Sequence, residues 1–286
     1  MSGRISSFRL ALRNPGVVAG GGILVLLVAM SVAAPLLTQY DPTELTPRFR
    51  LRAPGGEHFL GTDMAGRDVW SRVAYGARIS LFIGFTAAVL ALSAGTLVGL
   101  VAGYVRTVDG VLMRIMDGLM AIPGILLAIA LVSLSGASLG TVILAIFVPE
   151  IPRVARLVRS IVLSIREEPF VEAAIGLGTP VRLILWRHIL PNTLPALIVQ
   201  GTYIAASAIL IEALLSFIGA GLSPTLPTWG NTIAEGRDVF QRAPWIILAP
   251  GAFLAATVLA INVMGDGLRD TLDPRLAKRV GGVAQQ

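Results

Sequence analysis

Three acidic residues lie inside or close to long apolar segments of the sequence: Asp117, Glu150 and Glu212. Charged side chains are costly in a lipid bilayer, so acids in such positions commonly line a polar pathway or contact another subunit. Arg114 lies three residues before Asp117, which favours a local ion pair as the plainer interpretation. Arg153 follows Glu150 at the same spacing, and here the two interpretations stand equal. Glu212 has no such neighbour, so we expect it to face a translocation pathway or a partner subunit.

The sequence gives little support for catalysis or for a bound metal. Its single lysine, Lys278, lies between Ala277 and Arg279, so the phosphate-binding pattern G-x4-G-K-[ST] is absent. The two histidines, His58 and His188, are isolated from each other and from any carboxylate cluster, and the chain has no cysteine. We therefore expect no catalytic residue, no metal site and no cofactor bound by this chain.

Two rival classes of membrane protein fit the sequence poorly. An intramembrane aspartyl protease would need the motif G-x-G-D, but in the segment VMGDG the first glycine is replaced by Val263. A stand-alone secondary transporter or channel would be expected to consist of inverted halves, and no internal duplication is visible.

The composition indicates a membrane protein that crosses the bilayer several times. Of 286 residues, 55% are hydrophobic and only 14% are charged, and the mean hydropathy is +0.77. The net charge of +6 could suggest nucleic acid binding, but arginines beside membrane spans explain it better. We expect no nucleic acid partner.

The apolar runs predict an all-α polytopic membrane protein with six transmembrane helices. The first run, residues 17–37, would rise about 31 Å as a helix and match a hydrocarbon core of about 30 Å. It is longer than the apolar part of a signal peptide, so we expect an uncleaved anchor. The fourth run is interrupted by Glu150 and Pro152 and continues as an amphipathic helix. The other predicted spans are residues 79–104, a third from Asp109 that ends within residues 133–140, a fourth from Leu139, and then 194–218 and 244–264.

The distribution of basic residues predicts the orientation. With a cytoplasmic N-terminus, 15 of the 23 basic residues fall in the N-terminal segment, the loop after the second span, the region 153–187 and the C-terminal tail. Both termini and the segment 166–192 are then cytoplasmic, and residues 38–78 are extracytoplasmic. In the second span, Gly95, Gly99 and Gly103 form a small-residue ridge that predicts close helix packing.

The charged segment 166–192 is an unusual insert between two apolar runs. Pro169 suits the first turn of a short helix, Glu172 places negative charge near its N-terminal end, and Gly178 can end it in a left-handed conformation. Thr179 would cap a second helix. Local physics leaves two alternatives open: a docking element, or an amphipathic interfacial loop without a partner.

The second helix of the insert should contain Pro180 in its first turn and continue through VRLILWRHI. We expect Leu190, Pro191 and Pro195 to redirect the chain towards the fifth span.

The insert resembles the EAA signature of permease subunits of bacterial ABC importers, E-A-A-x3-G-x9-I-x-L-P. His188 takes the place of the isoleucine, and this histidine resembles the variant of the peptide-importer branch. Four longer segments are similar to the same branch, the second permease subunit of dipeptide, oligopeptide and nickel importers: LGTDMAGRDVWSRVAYGARISL, MDGLMAIPGILLAIALV, IEALLSFIGAGLSPTLPTWG and NVMGDGLRDTLDPR. The residues that match the signature are Glu172, Ala173, Ala174, Gly178, Leu190 and Pro191.

The resemblance implies a type I ABC importer permease fold in the bacterial inner membrane, with a cytoplasmic coupling helix that begins near Pro169. It further implies a second homologous permease, two cytoplasmic ATPase subunits that bind ATP and Mg, and an extracytoplasmic binding protein. The substrate implied is a peptide, with nickel or another small solute as the alternative. The small Ala173 and Ala174 would permit close approach of an ATPase, and Glu172 would offer it a charge.

These expectations divide the chain into three parts. Residues 1–78 comprise the N-terminal segment, the first span and the outer loop. Residues 79–272 form the permease core with the coupling loop 166–192, and residues 273–286 form a cytoplasmic tail.

Overall fold

The computed structural model describes residues 12–272, which are helical apart from loops and one isolated β-bridge between Thr62 and Asp68. The expected tail 273–286 lies outside the described residues. In chain order the α-helices are α1 (Pro15–Val32), α2 (Ala34–Leu37), α3 (Val69–Tyr104), α4 (Arg106–Ala121), α5 (Gly124–Ser135), α6 (Leu139–Phe147), α7 (Ile151–Arg166), α8 (Pro169–Gly176), α9 (Val181–Ile184), α10 (Leu190–Phe217), α11 (Trp229–Gly236) and α12 (Trp245–Leu272). Short 3-10 turns occur at Pro47–Phe49, Val148–Glu150 and Arg237–Val239, and a π-helix at Leu185–Ile189.

Within residues 12–272, four helical segments are long and apolar enough to cross a membrane: Pro15–Val32, Val69–Tyr104, Val181–Phe217 and Trp245–Leu272. They correspond to the predicted first, second, fifth and sixth spans. The second begins ten residues earlier than predicted, because the carboxylate of Asp68 accepts a hydrogen bond from the backbone N–H of Ser71 and caps the helix there.

The predicted third span is not one straight helix. α4 and α5 are apolar enough to cross only as a pair, and they are bent by 86°. The break lies at Ile122 and Pro123, where the backbone is extended. Proline disfavours a helical conformation in the residue before it, so Pro123 ends α4 at this point.

The predicted fourth span is a helix in two parts. α6 is joined to α7 by a 3-10 turn that contains Pro149, and α7 carries arginines along one face, as the amphipathic pattern predicts. Among the described residues, this segment does not meet the length and hydropathy expected of a span. Both the short helices and the arginines of α7 set this segment apart from the other spans.

The helices define two ends of the molecule. At the insert end, the end of α7 lies near the end of α3, where Arg166 donates to the carbonyl oxygen of Tyr104. At the loop end, residues 38–68 pack against α11 and the start of α12, and the indole of Trp245 donates to the carbonyl oxygen of Thr62.

The glycine ridge of α3 packs directly on α7. A Cβ atom at Gly95 would lie 2.4 Å from Cβ of Val154, and one at Gly99 would lie 2.6 Å from the carbonyl oxygen of Ala155. Gly103 makes the same kind of contact with Val162. The predicted packing role is confirmed, since no larger side chain fits at this helix crossing.

Candidate functional site: the helical insert and the buried acids

The first helix of the insert forms as predicted. α8 begins at Pro169 and is followed by Gly178 with φ of +73°. The backbone N–H of Gly178 donates to Ile175 and that of Thr179 donates to Ala174, which is the Schellman arrangement of a helix end. Gly178 is required here for its backbone conformation, because no atom lies within 4 Å of the position of a Cβ.

The second half of the insert differs from the prediction. Pro180, not Thr179, occupies the cap position of α9, and the Thr179 side chain makes no capping bond. Pro191 and Pro195 do not redirect the chain: Pro191 lies in the first turn of α10, directly after the π-helix, and Pro195 lies inside α10. A π-helix joins α9 to α10, so one continuous helical segment leads from the insert into the membrane.

The signature residues divide into buried and exposed positions. Ala174 is buried, so its small side chain seats α8 on its own chain, whereas Glu172 and Ala173 are exposed. Leu190 and Pro191 are half-buried at the start of α10. Only one of the two alanines is therefore free to admit a partner.

The insert also presents large apolar side chains. Phe170 is 46% exposed, Leu177 is 86% exposed and Trp186 is 58% exposed. In contrast, Val171 and Ile184 are fully enclosed in the core of the chain. One side of the insert is thus fixed on the helix bundle, and the other offers an apolar surface.

Asp117 does not pair with Arg114, contrary to the plainer interpretation of its spacing. Its carboxylate binds Arg156 of α7 instead, and one turn of α7 further on Arg159 binds Asp109. These pairs join α4 to α7, helices that are about 40 to 50 residues apart in the sequence, so sequence spacing could not show them. Both residues of the Asp117 pair are about half exposed.

Glu150 makes the local pair that its spacing allowed. Nη1 of Arg153 lies 2.9 Å from one carboxylate oxygen of Glu150 and 3.1 Å from the other. The carboxylate is almost enclosed, while the arginine remains about half exposed.

Glu212 is fully buried within this chain, so in this conformation it faces neither an open pathway nor a surface for a partner. Its Oε1 accepts hydrogen bonds from Ser216, one turn later in α10, and from Thr228. The local partner is a serine hydroxyl rather than the arginine that was sought beside the other two acids. Because Thr228 also caps α11, Glu212 holds the start of that helix against α10.

A buried ion cluster at the loop end is absent from the predicted site residues. Oδ2 of Asp63 lies 2.7 Å from Nε of Arg67 and 3.1 Å from Nη1 of Arg72, and both arginines also bind Glu235 of α11. Burial raises the pKa of Glu235, while the positive charges of Arg72 and Arg67 act in the opposite direction. The i, i+4 spacing of Asp63 and Arg67 was the only local sign of this cluster in the sequence. Glu235 lies 163 residues beyond Arg72, so no sequence spacing indicates that they pair.

His58 has a carboxylate partner, although the sequence suggested none. Its Nδ1 lies 2.9 Å from Oδ1 of Asp68, and both side chains are buried. Tyr40 and Phe49 cover the imidazole ring. Within residues 12–272, no group of three or more His, Asp or Glu side chains could hold a metal ion.

Comparison with known proteins assigns this helical arrangement to a family. A sequence profile described as "Binding-protein-dependent transport system inner membrane component" matches residues 95–278. The chain belongs to this family. A second profile, the N-terminal TM domain of oligopeptide transport permease C, matches residues 7–54 of this inner membrane component.

Relatives of this inner membrane component cover nearly the whole chain. It is 54% identical to the "Probable peptide ABC transporter permease protein y4tQ" of Sinorhizobium fredii, over 95% of this chain and 93% of that protein. It is 43% identical to the "Dipeptide transport system permease protein DppC" of Alkalihalophilus pseudofirmus, over 94% and 89% of the two chains.

A solved structure shows the same fold. An inward-facing form of the MetNI methionine ABC transporter superimposes with a TM-score of 0.58 at 19% sequence identity, over 71% of this chain and 96% of the other. The predicted type I permease fold is confirmed.

Proposed function

We propose that this chain is a permease subunit of an ATP-driven importer that carries di- or oligopeptides across the bacterial inner membrane. Its family and the names of its relatives support the substrate class. The relatives cover at least 94% of this chain, so the proposal draws on its full length rather than on one motif.

The geometry of the insert is the observation that carries the mechanism. α8 is fixed on the bundle by Val171 and Ala174, and it ends at the left-handed Gly178. It therefore presents the exposed Phe170 and Leu177 at a defined angle to the membrane spans. Such a surface suits a coupling helix that sits in a groove of an ATPase, and closure of the ATPase pair would then move α10 through the continuous backbone of the insert.

The orientation follows from the same role. We place the insert end and both termini in the cytoplasm and the loop end outside, which agrees with the distribution of arginine. A binding protein would deliver the peptide at the loop end, and a second homologous permease would complete the pathway. ATP and Mg would be bound by two separate ATPase subunits, since no phosphate-binding loop occurs in the sequence.

Purification and reconstitution of the complex test this function. The chain, tagged and isolated from its native membrane, should bring with it a second permease and an ATPase, and the complex in liposomes should take up trialanine only with ATP and the binding protein. Cysteines introduced at Thr46 and Thr179 should react with impermeant reagents from opposite sides. Uptake by this chain alone, or reaction of both cysteines from the outside, would overturn the proposal.

A further inference from the structure

A cavity at the insert end shares no lining residue with the exposed apolar surface of the insert that contains Phe170 and Leu177. The cavity, of about 440 Å³, is open between α7, α10 and α12. Its volume is within the range of about 300 to 1,000 Å³ that small-molecule sites occupy. The lining residues are Leu157, Pro195, Ala196, Val199, Gln200, Arg269 and Leu272.

The lining is apolar except for two residues that can donate hydrogen bonds. Arg269 lies in the last turn of α12, is exposed and takes part in no ion pair among residues 12–272. Asp266 and Asp270 are close in sequence, but neither lines the cavity. The guanidinium group is therefore available to an oxyanion, which its planar fork can bind with two hydrogen bonds.

Gln200 contributes an amide that the protein leaves unsatisfied. Its Nε2 is buried and has no hydrogen-bond partner among the described residues. Buried polar atoms without a partner are uncommon, and a bound water or ion is one explanation for them. Gln200 lines the cavity, and its amide NH₂ group can donate two hydrogen bonds to an acceptor bound there.

We propose that this cavity binds the phosphate group of an anionic phospholipid. Arg269 and Gln200 bind the phosphate oxygens, and Leu157, Val199 and Leu272 contact the first carbons of an acyl chain. Basic pockets between membrane helices on the cytoplasmic side take up anionic headgroups, and the orientation proposed above puts the insert end on that side. The inference uses this orientation but does not depend on the substrate that is transported.

Lipid retention by the purified complex tests the site. The complex is prepared in nanodiscs of phosphatidylcholine with added phosphatidylglycerol, and bound phosphatidylglycerol is counted by native mass spectrometry. Arg269→Gln and Gln200→Leu should weaken retention, the first by about tenfold, as expected for loss of a charge-assisted contact. Arg269→Lys, which keeps the charge and loses the fork, should lie between Arg269→Gln and the unchanged chain.

Arg242→Gln is the matched control, because Arg242 is exposed near the loop end and lines no part of this cavity. Equal retention in Arg269→Gln and Arg242→Gln would overturn the proposal. So would displacement of the lipid by trialanine but not by its C-terminal amide, because the site would then serve a peptide carboxylate. If the unchanged complex failed to take up peptide, only the proposed function would be contradicted, because lipid retention is measured without transport.

Discussion

Asp109 and Arg159 form a two-pronged ion pair between α4 and α7, in which Nε and Nη2 of the arginine each lie 2.6 Å from a different carboxylate oxygen. With the pair of Asp117 and Arg156, it fixes α4 beside α7 although α5 departs at 86°. The two ion pairs therefore fix the position of α4, and the break at Pro123 lets α5 leave in another direction.

Neutralising this ion pair should loosen α4. Because both side chains are partly exposed, the coupling energy between Asp109→Asn and Arg159→Gln should be about 1 kcal/mol rather than the larger value of a buried pair. A double-mutant cycle of thermal unfolding in detergent measures it. Additive effects of the two changes would show that the pair contributes nothing to α4.

Small changes in the glycine ridge should have unequal effects on stability. Gly99→Ala places a methyl group against the backbone of α7 and should destabilise the protein by about 1 to 3 kcal/mol. Gly110→Ala is the control, since no atom lies within 4 Å there and alanine favours a helix by about 1 kcal/mol. Melting temperatures of the two variants should shift in opposite directions, and a common shift would speak against tight packing at Gly99.

Gly178 should matter for its backbone alone. Gly178→Ala should cost about 1 to 2 kcal/mol in the left-handed conformation, and Gly178→Asn should cost less. Gly176→Ala is the control, because it too has open space around it and lies within α8. Substrate-stimulated ATP hydrolysis by the reconstituted complex should fall in Gly178→Ala and remain in Gly176→Ala. Full hydrolysis in both would contradict the role of the bend.

Glu212 should act on the position of α11. Glu212→Leu removes the acceptor of Ser216 and Thr228, and each buried hydroxyl left without a partner costs about 1 to 3 kcal/mol. Glu212→Gln retains an oxygen in the same place and should remain close to the unchanged protein. The melting temperature separates the two variants, and an equal loss in both would show that the negative charge itself is required.

The loop end should unfold when its ion cluster loses one member. Arg72→Met leaves the carboxylates of Asp63 and Glu235 without one of their partners, and breaking a buried pair in this way costs about 3 to 5 kcal/mol. Proteolysis should then cut within residues 38–68 at protease concentrations that spare the unchanged chain. Arg52→Met is the control, because its pair with Glu57 is exposed and should contribute little.

The features that could be predicted from the sequence depend on residues that are close together along the chain. Pro169 and Gly178 mark the ends of α8 through their own backbone preferences, and the ridge of α3 follows from helical spacing. The partners of Asp117 and Glu212 depend on where distant helices pack, which no local spacing records. The third span was predicted as one helix because apolar residues lie on both sides of Pro123, whose effect on Ile122 breaks it.

The π-helix at Leu185–Ile189 keeps the segment Val181–Phe217 helical without a break, so a rotation at one end of the segment displaces the other end. Its 37 residues would extend about 55 Å as a helix, far more than one bilayer core. If the segment tilted by about 10° about its end at Val181, its end at Phe217 would move sideways by about 10 Å, given the same rise per residue. Glu212 and Ser216 lie near that far end, so a small rotation at the insert is amplified where α11 is attached.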